Sequence, residues 1–244
     1  MGNLLSRLFL LCALIWHASV AYAVEKNVEA KIGKSNISIP VPKGFSDPSA
    51  MFPSVFQFGE TMTAKSNRLL GFFISDDDVK ALLLQSRPEL HRYFMVQTLR
   101  VMEDSQMSPE EFSAVQEELR TQYKKIFHDN HAMVQAEIDR AVSQVSKAGD
   151  TKQNLSLKLG ELSVVDVMSE EKFVTLIAKT LVKVAVNDEI KEIPMALGVG
   201  TTMAKGKLVY FFCYTRFHSD DDLNWIKTQN QEWMPMLVAA NTMQ

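Results

Sequence analysis

Cysteine is almost missing from this chain: of 244 residues, only Cys12 and Cys213 carry a thiol. Cys12 falls in a leader read below as removed, so Cys213 has no mate within the molecule and an intrachain disulfide is excluded. A chain with 46% hydrophobic residues builds a core without such staples,. Basic charge in excess is missing too. The 26 Lys and Arg are outnumbered by 29 Asp and Glu, for a net charge of −3. That is too mild a balance to imply a nucleic-acid partner, which needs a basic face to displace phosphate counterions, and it argues against docking on an anionic bilayer. There is no Gly-x-Ser-x-Gly elbow, no phosphate-binding P-loop and no Cys-x-x-Cys,. Gly198-Val199-Gly200 lacks the third glycine of a dinucleotide loop and is followed by a strand pattern,.

What is present begins with a leader. Arg7 gives a positive start, Leu8 to Trp16 an apolar run, and Ala21-Tyr22-Ala23 small residues where a signal peptidase cleaves. A core this short reads as a secretory peptide removed after Ala23, and not as a membrane span. About 220 residues remain, enough for one large domain,. Together with the single thiol, this assigns a periplasmic or secreted location in a bacterial envelope.

Val28–Ile32 and Ile37–Val41 alternate apolar and polar residues across Gly33-Lys34-Ser35-Asn36, a hairpin pattern,. Ser49–Met62 reads as a helix with Pro53 in its first turn, and Arg68–Ser75 and Arg92–Arg100 as strands. Ser108-Pro109-Glu110-Glu111 is a helix start, with Ser108 as cap, Pro109 first and Glu111 reaching back,. Apolar residues then recur three and four apart as far as Val145,. Asp129 and Asn130 interrupt that stripe, which predicts two helices broken near His128–His131, with one long arm as the alternative. The last third is β-rich. Leu155–Met168 and Lys172–Val186 are dense in β-branched residues, and Met195–Met203 and Lys207–Phe217 flank Ala204-Lys205-Gly206 as a hairpin,. Lys207–Phe217 is apolar on both faces, the mark of a central strand covered on both sides. A helix from Asp221 to about Ala240, with Pro235 inside, closes the chain,.

Two stretches echo each other: Phe72-Phe73-Ile74-Ser75-Asp76-Asp77-Asp78, and Phe211-Phe212 followed by Ser219-Asp220-Asp221-Asp222. Three carboxylates suit a hard cation. Without an Asp-x-Asp-x-Asp-Gly loop and a distal Glu, Ser75 and Ser219, or the first Asp after each, read as helix caps with the other carboxylates facing the positive end of the dipole. His128 and His131 lie three apart, a spacing that can bind zinc, but they lack the Glu of the metalloprotease helix and read as a solvated turn. Cys213 and His218 are five apart on a strand, on opposite faces, so Cys213 reads as a core residue and not a nucleophile. Trp225 and Trp233, with Ile226, Met236 and Leu237, read as the packing stripe of the last helix. No catalytic, cofactor-binding or metal residue is assigned.

Ile39-Pro40-Val41-Pro42-Lys43-Gly44-Phe45, placed between a hairpin strand and a helix, resembles the opening of PsbP-like exported α+β proteins. The C-terminal hairpin and the helix with Trp225 and Trp233 extend the likeness, and also look like uncharacterised exported proteins of proteobacteria. The resemblance implies an antiparallel sheet flanked by helices and a binding or assembly role. The expected fold is therefore α+β: an antiparallel β-sheet flanked by helices, with a helical insertion around 108–148 inside a single domain of residues 24–244. The expected function is that of a non-enzymatic binding or accessory protein with an envelope protein partner. The alternative is a metal-dependent or hydrolytic periplasmic enzyme assembled from Asp76–Asp78, Asp220–Asp222 and the histidines.

Overall fold

The computed structural model describes residues 27–148, 155–187 and 189–242; the expected signal peptide and its cleavage site lie outside the described residues. A separate hairpin opens the chain, β1 (Asn27–Ile32) with β2 (Ser35–Pro40), turned by Gly33 at φ +55. Next come β3 (Phe45–Ser46), α1 (Pro53–Met62), β4 (Asn67–Ser75), α2 (Asp76–Leu83) and β5 (Arg92–Leu99). They are followed by α3 (Pro109–Ala148), β6 (Leu155–Leu159), β7 (Ser163–Glu170), β8 (Phe173–Val186), β9 (Glu189–Ala204), β10 (Lys207–Arg216) and α4 (Asp220–Asn241).

Strands β3 to β10 form one antiparallel sheet in the order β3-β4-β5-β10-β9-β8. Along the outer edge of β8, β7 pairs with its first half and β6 with its second. The doubly apolar β10 is central, as its pattern demands. Its turn with β9 places Lys205 and Gly206 at φ +48 and +74, the paired left-handed residues of a two-residue hairpin,. The α+β class with an antiparallel sheet flanked by helices is the architecture observed.

The two sheet faces carry different covers. On one, Phe73, Phe94, Val209, Phe211, Cys213 and Ile177 pack beneath α4 and the β1–β2 hairpin. Trp233 stacks on Phe211 at 4.0 Å between centroids, and Phe211 on Phe94 at 5.3 Å. The indole Nε1 of Trp233 donates to Pro40 O at 2.7 Å, tying α4 to the hairpin. On the other face Leu69, Phe72, Ile74 and Met95 meet Val55, Phe56 and Leu82 from α1 and α2.

Gly198 and Gly200 let α4 come this close. A Cβ on Gly198 would sit 2.6 Å from Asn230 Nδ2 and 2.9 Å from Ile226 Cγ2; one on Gly200 would meet Met234 Sδ at 3.0 Å. Ile226, Asn230 and Met234 are spaced four apart, so one ridge of α4 rests on a groove in β9 that only glycine leaves open. Met236, expected in the same apolar stripe, is 49% exposed, because ten residues past Ile226 the helix has turned it to the flank,.

The expected break near His128–His131 does not occur: α3 runs unbroken for 40 residues. The polar residues in its stripe hydrogen-bond instead of turning. Asn130 Nδ2 donates back to Ile126 O at 2.7 Å, and His131 Nε2 lies 3.2 Å from Leu159 O. Gln135 accepts from Leu159 N at 2.9 Å and donates to Leu157 O at 2.9 Å, pairing with the free edge of β6 as a strand would. Farther along, Arg140 donates to Thr63 O and Glu137 accepts from Lys65 N, anchoring the helix beside the end of α1. A helix of about 60 Å finds support at two separate places, the edge of β6 and the residues that follow α1.

Gly198→Ala should lower the urea midpoint by the equivalent of about 1–3 kcal/mol with an unchanged m-value. An unaltered midpoint would show that α4 does not need the close approach.

Candidate functional site

The two Ser-Asp-Asp-Asp stretches begin α2 and α4, and both act as caps. In α2, Ser75 Oγ accepts from Asp78 N at 3.1 Å and donates to Asp78 Oδ2 at 2.7 Å. The other oxygen of Asp78 accepts from the backbone amides of Glu89 at 2.9 Å and Leu90 at 3.2 Å. A buried carboxylate thus holds a loop eleven and twelve residues downstream. In α4, Ser219 Oγ accepts from Asp221 N, while Asp222 Oδ2 accepts from His218 N at 2.8 Å and Ser219 N at 3.3 Å. Arg92 donates to Asp222 Oδ1 at 3.3 Å and lies 4.4 Å over the Trp225 ring. Burial alone would raise the Asp222 pKa, but the two amides and the Arg92 guanidinium together hold it below its ordinary value,.

The loop that Asp78 holds, residues 84–91, has unusual backbone. Gln85 and Leu90 adopt φ +57 and +50, left-handed conformations that side chains disfavour,. Gln85 ends α2, with Gln85 N bonded to Leu82 O at 3.0 Å and Ser86 N to Ala81 O at 2.8 Å, a Schellman closure,. Leu90 is kept in place by the Asp78 carboxylate and by packing its side chain among the apolar residues under α1. Strain of this kind persists where surrounding contacts over-determine it.

Between this loop and α1 opens a cleft of about 690 Å³. Val55 and Phe58 of α1, Leu82 of α2 and Leu90 form its apolar lining, while Arg87 and Arg216 bring cationic side chains and His91 an imidazole. Arg216 sits at the end of β10, where its amide donates to His91 O. The Glu89 carboxylate is engaged by His91 Nε2. Arg87 and Arg216 have no ion-pair partner among the described residues, whereas Arg68, Arg92, Arg120 and Arg140 are each paired with a carboxylate. Leu83 and Leu84, at the end of α2, are 61% and 78% exposed.

The other candidate residues are not brought together. Among the described residues no three His, Cys, Asp or Glu side chains gather as a metal site. His128 and His131 belong to the body of α3, not to a turn, with His131 facing the β6 edge. Cys213 is fully buried, and burial pushes its thiol well above the usual value against a smaller pull from Arg92. Since the thiolate is the reactive form, that environment does not make a nucleophile. His218 is exposed beyond the end of β10. Gly198 and Gly200 belong to the helix–strand seam, not to a nucleotide loop. The sequence did carry one unread signal for the cleft. Leu82-Leu83-Leu84 is an apolar run immediately before Gln85-Ser86-Arg87-Pro88, and one helix face cannot bury three successive residues,.

No family model and no curated protein matches the chain. Among solved structures it is similar to the Saccharomyces cerevisiae Ran-binding protein Mog1p, at 11% identity over 88% of this chain and 92% of that one, with a TM-score of 0.27. It is likewise similar to a point mutant of the protein Mog1, at 14% identity over 88% of each chain, with a TM-score of 0.28. The first is a Ran-binding protein and neither is named as a PsbP-like or exported proteobacterial protein, so the resemblance drawn from the Ile39–Phe45 stretch is not upheld. The stretch has a local role in packing: Pro40 O receives the Trp233 indole, Gly44 takes φ +80, and Phe45 packs edge-on against Phe94 at 4.5 Å.

Asp78→Ala should cost about 2 kcal/mol or more, from lost charge-assisted bonds and a lost cap, and should speed hydrogen exchange at the Glu89 and Leu90 amides. Unchanged exchange there would remove Asp78 as the anchor of the cleft wall. At the other cap the folded form binds the Asp222 proton less tightly than the unfolded chain does. Its contribution is therefore complete above the ordinary carboxyl value and vanishes as pH falls through the lower folded value. Asp222→Asn should accordingly flatten the loss of stability below about pH 4; an acid limb as steep as in the parent protein would contradict this.

Proposed function

We propose that this chain is an exported, non-enzymatic protein of the bacterial envelope that binds a protein partner at the cleft between α1 and loop 84–91. The observation that carries the reading is the pair Leu83 and Leu84, 61% and 78% exposed beside a pinned, concave surface. Large apolar side chains left in water next to a cleft are the kind of surface that marks a binding site. Phe58 and Met62 on α1 are exposed as well, at 38% and 37%. Arginine among apolar side chains matches the composition of protein-interface centres. A wall fixed by Asp78 lowers the ordering cost of association.

Export rests on the leader from Arg7 to Ala23 and on the lone Cys213,. Among the described residues no helix is long and apolar enough to cross a membrane. The enzymatic alternative asked Asp76–Asp78 and Asp220–Asp222 for chemistry, but Asp78 and Asp222 are committed to capping bonds.

A photo-crosslinking residue placed at Leu84 of the full chain, in its own host, should yield a discrete adduct with one envelope protein, identified by mass spectrometry. The same residue at Gln122, exposed on α3, should not. The recovered chain should begin at Val24 and fractionate with the periplasm. An unprocessed cytoplasmic chain would overturn the location, and a Leu84 site giving no adduct would overturn the binding surface.

A further inference from the structure

We infer that the cleft recognises an acidic peptide segment, holding a carboxylate at Arg87 and Arg216 while neighbouring apolar side chains enter against Val55, Phe58 and Leu82; this rests on the partner-binding reading above. Charge complementarity selects this occupant. Of the seven described arginines, four are neutralised by carboxylates within the molecule, with nitrogen–oxygen distances from 2.7 to 3.3 Å. Two of the remaining three, Arg87 and Arg216, line this cleft together. Its only carboxylate, Glu89, is engaged by His91. In a chain of net charge −3, that leaves a local surplus of positive charge in a concave apolar setting. Guanidinium groups bind carboxylates through two parallel donors, and a partly water-excluded setting strengthens such contacts.

The dimensions agree. A cleft of about 690 Å³ admits a few side chains of an extended segment and lies within the ordinary range of binding pockets,. A bilayer surface fits less well. It would present anionic headgroups to an acidic protein whose cleft wall includes Glu89, and it would find two unpaired arginines where membrane docking draws on clusters of four or more,. Leu83 and Leu84 then serve as the apolar shoulder over which the peptide leaves the cleft.

The test uses the full processed protein against an immobilised library of random octapeptides, with sequencing of those retained. Retained peptides should be enriched in Asp or Glu next to Leu, Ile or Phe. For a resynthesised best binder, Arg87→Glu and Arg216→Glu should each weaken binding by about tenfold or more, and the double variant should shift the library preference from acidic to basic residues. Both sites are exposed, and an unchanged thermal melt verifies the fold of each variant. No preference for acidic over basic peptides, or the same preference in the double variant, overturns the inference. Co-sedimentation with phosphatidylglycerol vesicles that the double variant abolishes, without acidic-peptide selection, would likewise overturn it in favour of a lipid surface. If the Leu84 adduct persists unchanged in the double variant, the partner docks without the carboxylate contact; the inference then fails while the binding function stands.

Discussion

The stack of Trp233 on Phe211, with the indole hydrogen-bonded to Pro40 O, is the contact on which the rest of the molecule is organised. It joins the last helix, the central strand and the opening hairpin, three elements far apart in sequence. A fully buried tryptophan removes about 150–250 Å² from water, and its one polar atom is satisfied by a carbonyl that β2 leaves free. The geometry is available only because β9 carries Gly198 and Gly200 directly beneath the Ile226–Asn230–Met234 ridge. Close approach has a cost at the same seam: Asn230 Oδ1 and Thr175 Oγ1 are buried without a hydrogen-bond partner among the described residues,. The apolar burial around them outweighs it.

Side-chain amides solve a second problem, that of strand edges. Gln135 of α3 exchanges a donor and an acceptor with the free edge of β6, and Asn241 of α4 does the same with Ser38 of β2, at 2.9 and 2.7 Å. Unpaired edges invite association with other chains. Here helices close them with single residues, which also sets the register of each helix against its strand. Lys207 extends the theme. Buried to 2%, its ammonium donates to the carbonyls of Glu103 and Ser105 and closes the loop that leads into α3.

The paired Ser-Asp-Asp-Asp caps show how one local device serves two ends. Each begins a helix after an aromatic strand, and in each the third Asp reaches beyond its own helix. Asp222 clamps Arg92 beside Trp225 at the foot of the main core. Asp78 instead reaches Glu89 and Leu90 and shapes the wall of the cleft. Cleft wall and helix cap therefore share a carboxylate, so the wall is as rigid as the helix start that supports it.

By itself the sequence determined the features that depend on neighbours along the chain. The caps at Ser75, Ser108 and Ser219, the β9–β10 turn at Lys205-Gly206, and the central place of the doubly apolar β10 follow from spacing, hydrogen-bonding chemistry and left-handed backbone tolerance. Features set by distant residues were not legible. The unbroken course of α3 was decided by β6, whose open backbone groups gave Asn130's neighbours His131 and Gln135 a reason to stay helical. The purpose of Gly198 and Gly200 was decided by the helix laid over them. The cleft exists because Asp78 bonds to a loop a dozen residues away while β10 delivers Arg216 from the far end of the chain. Local pattern encodes what one segment does alone; which unsatisfied groups and unpaired charges face one another is decided only when the segments pack.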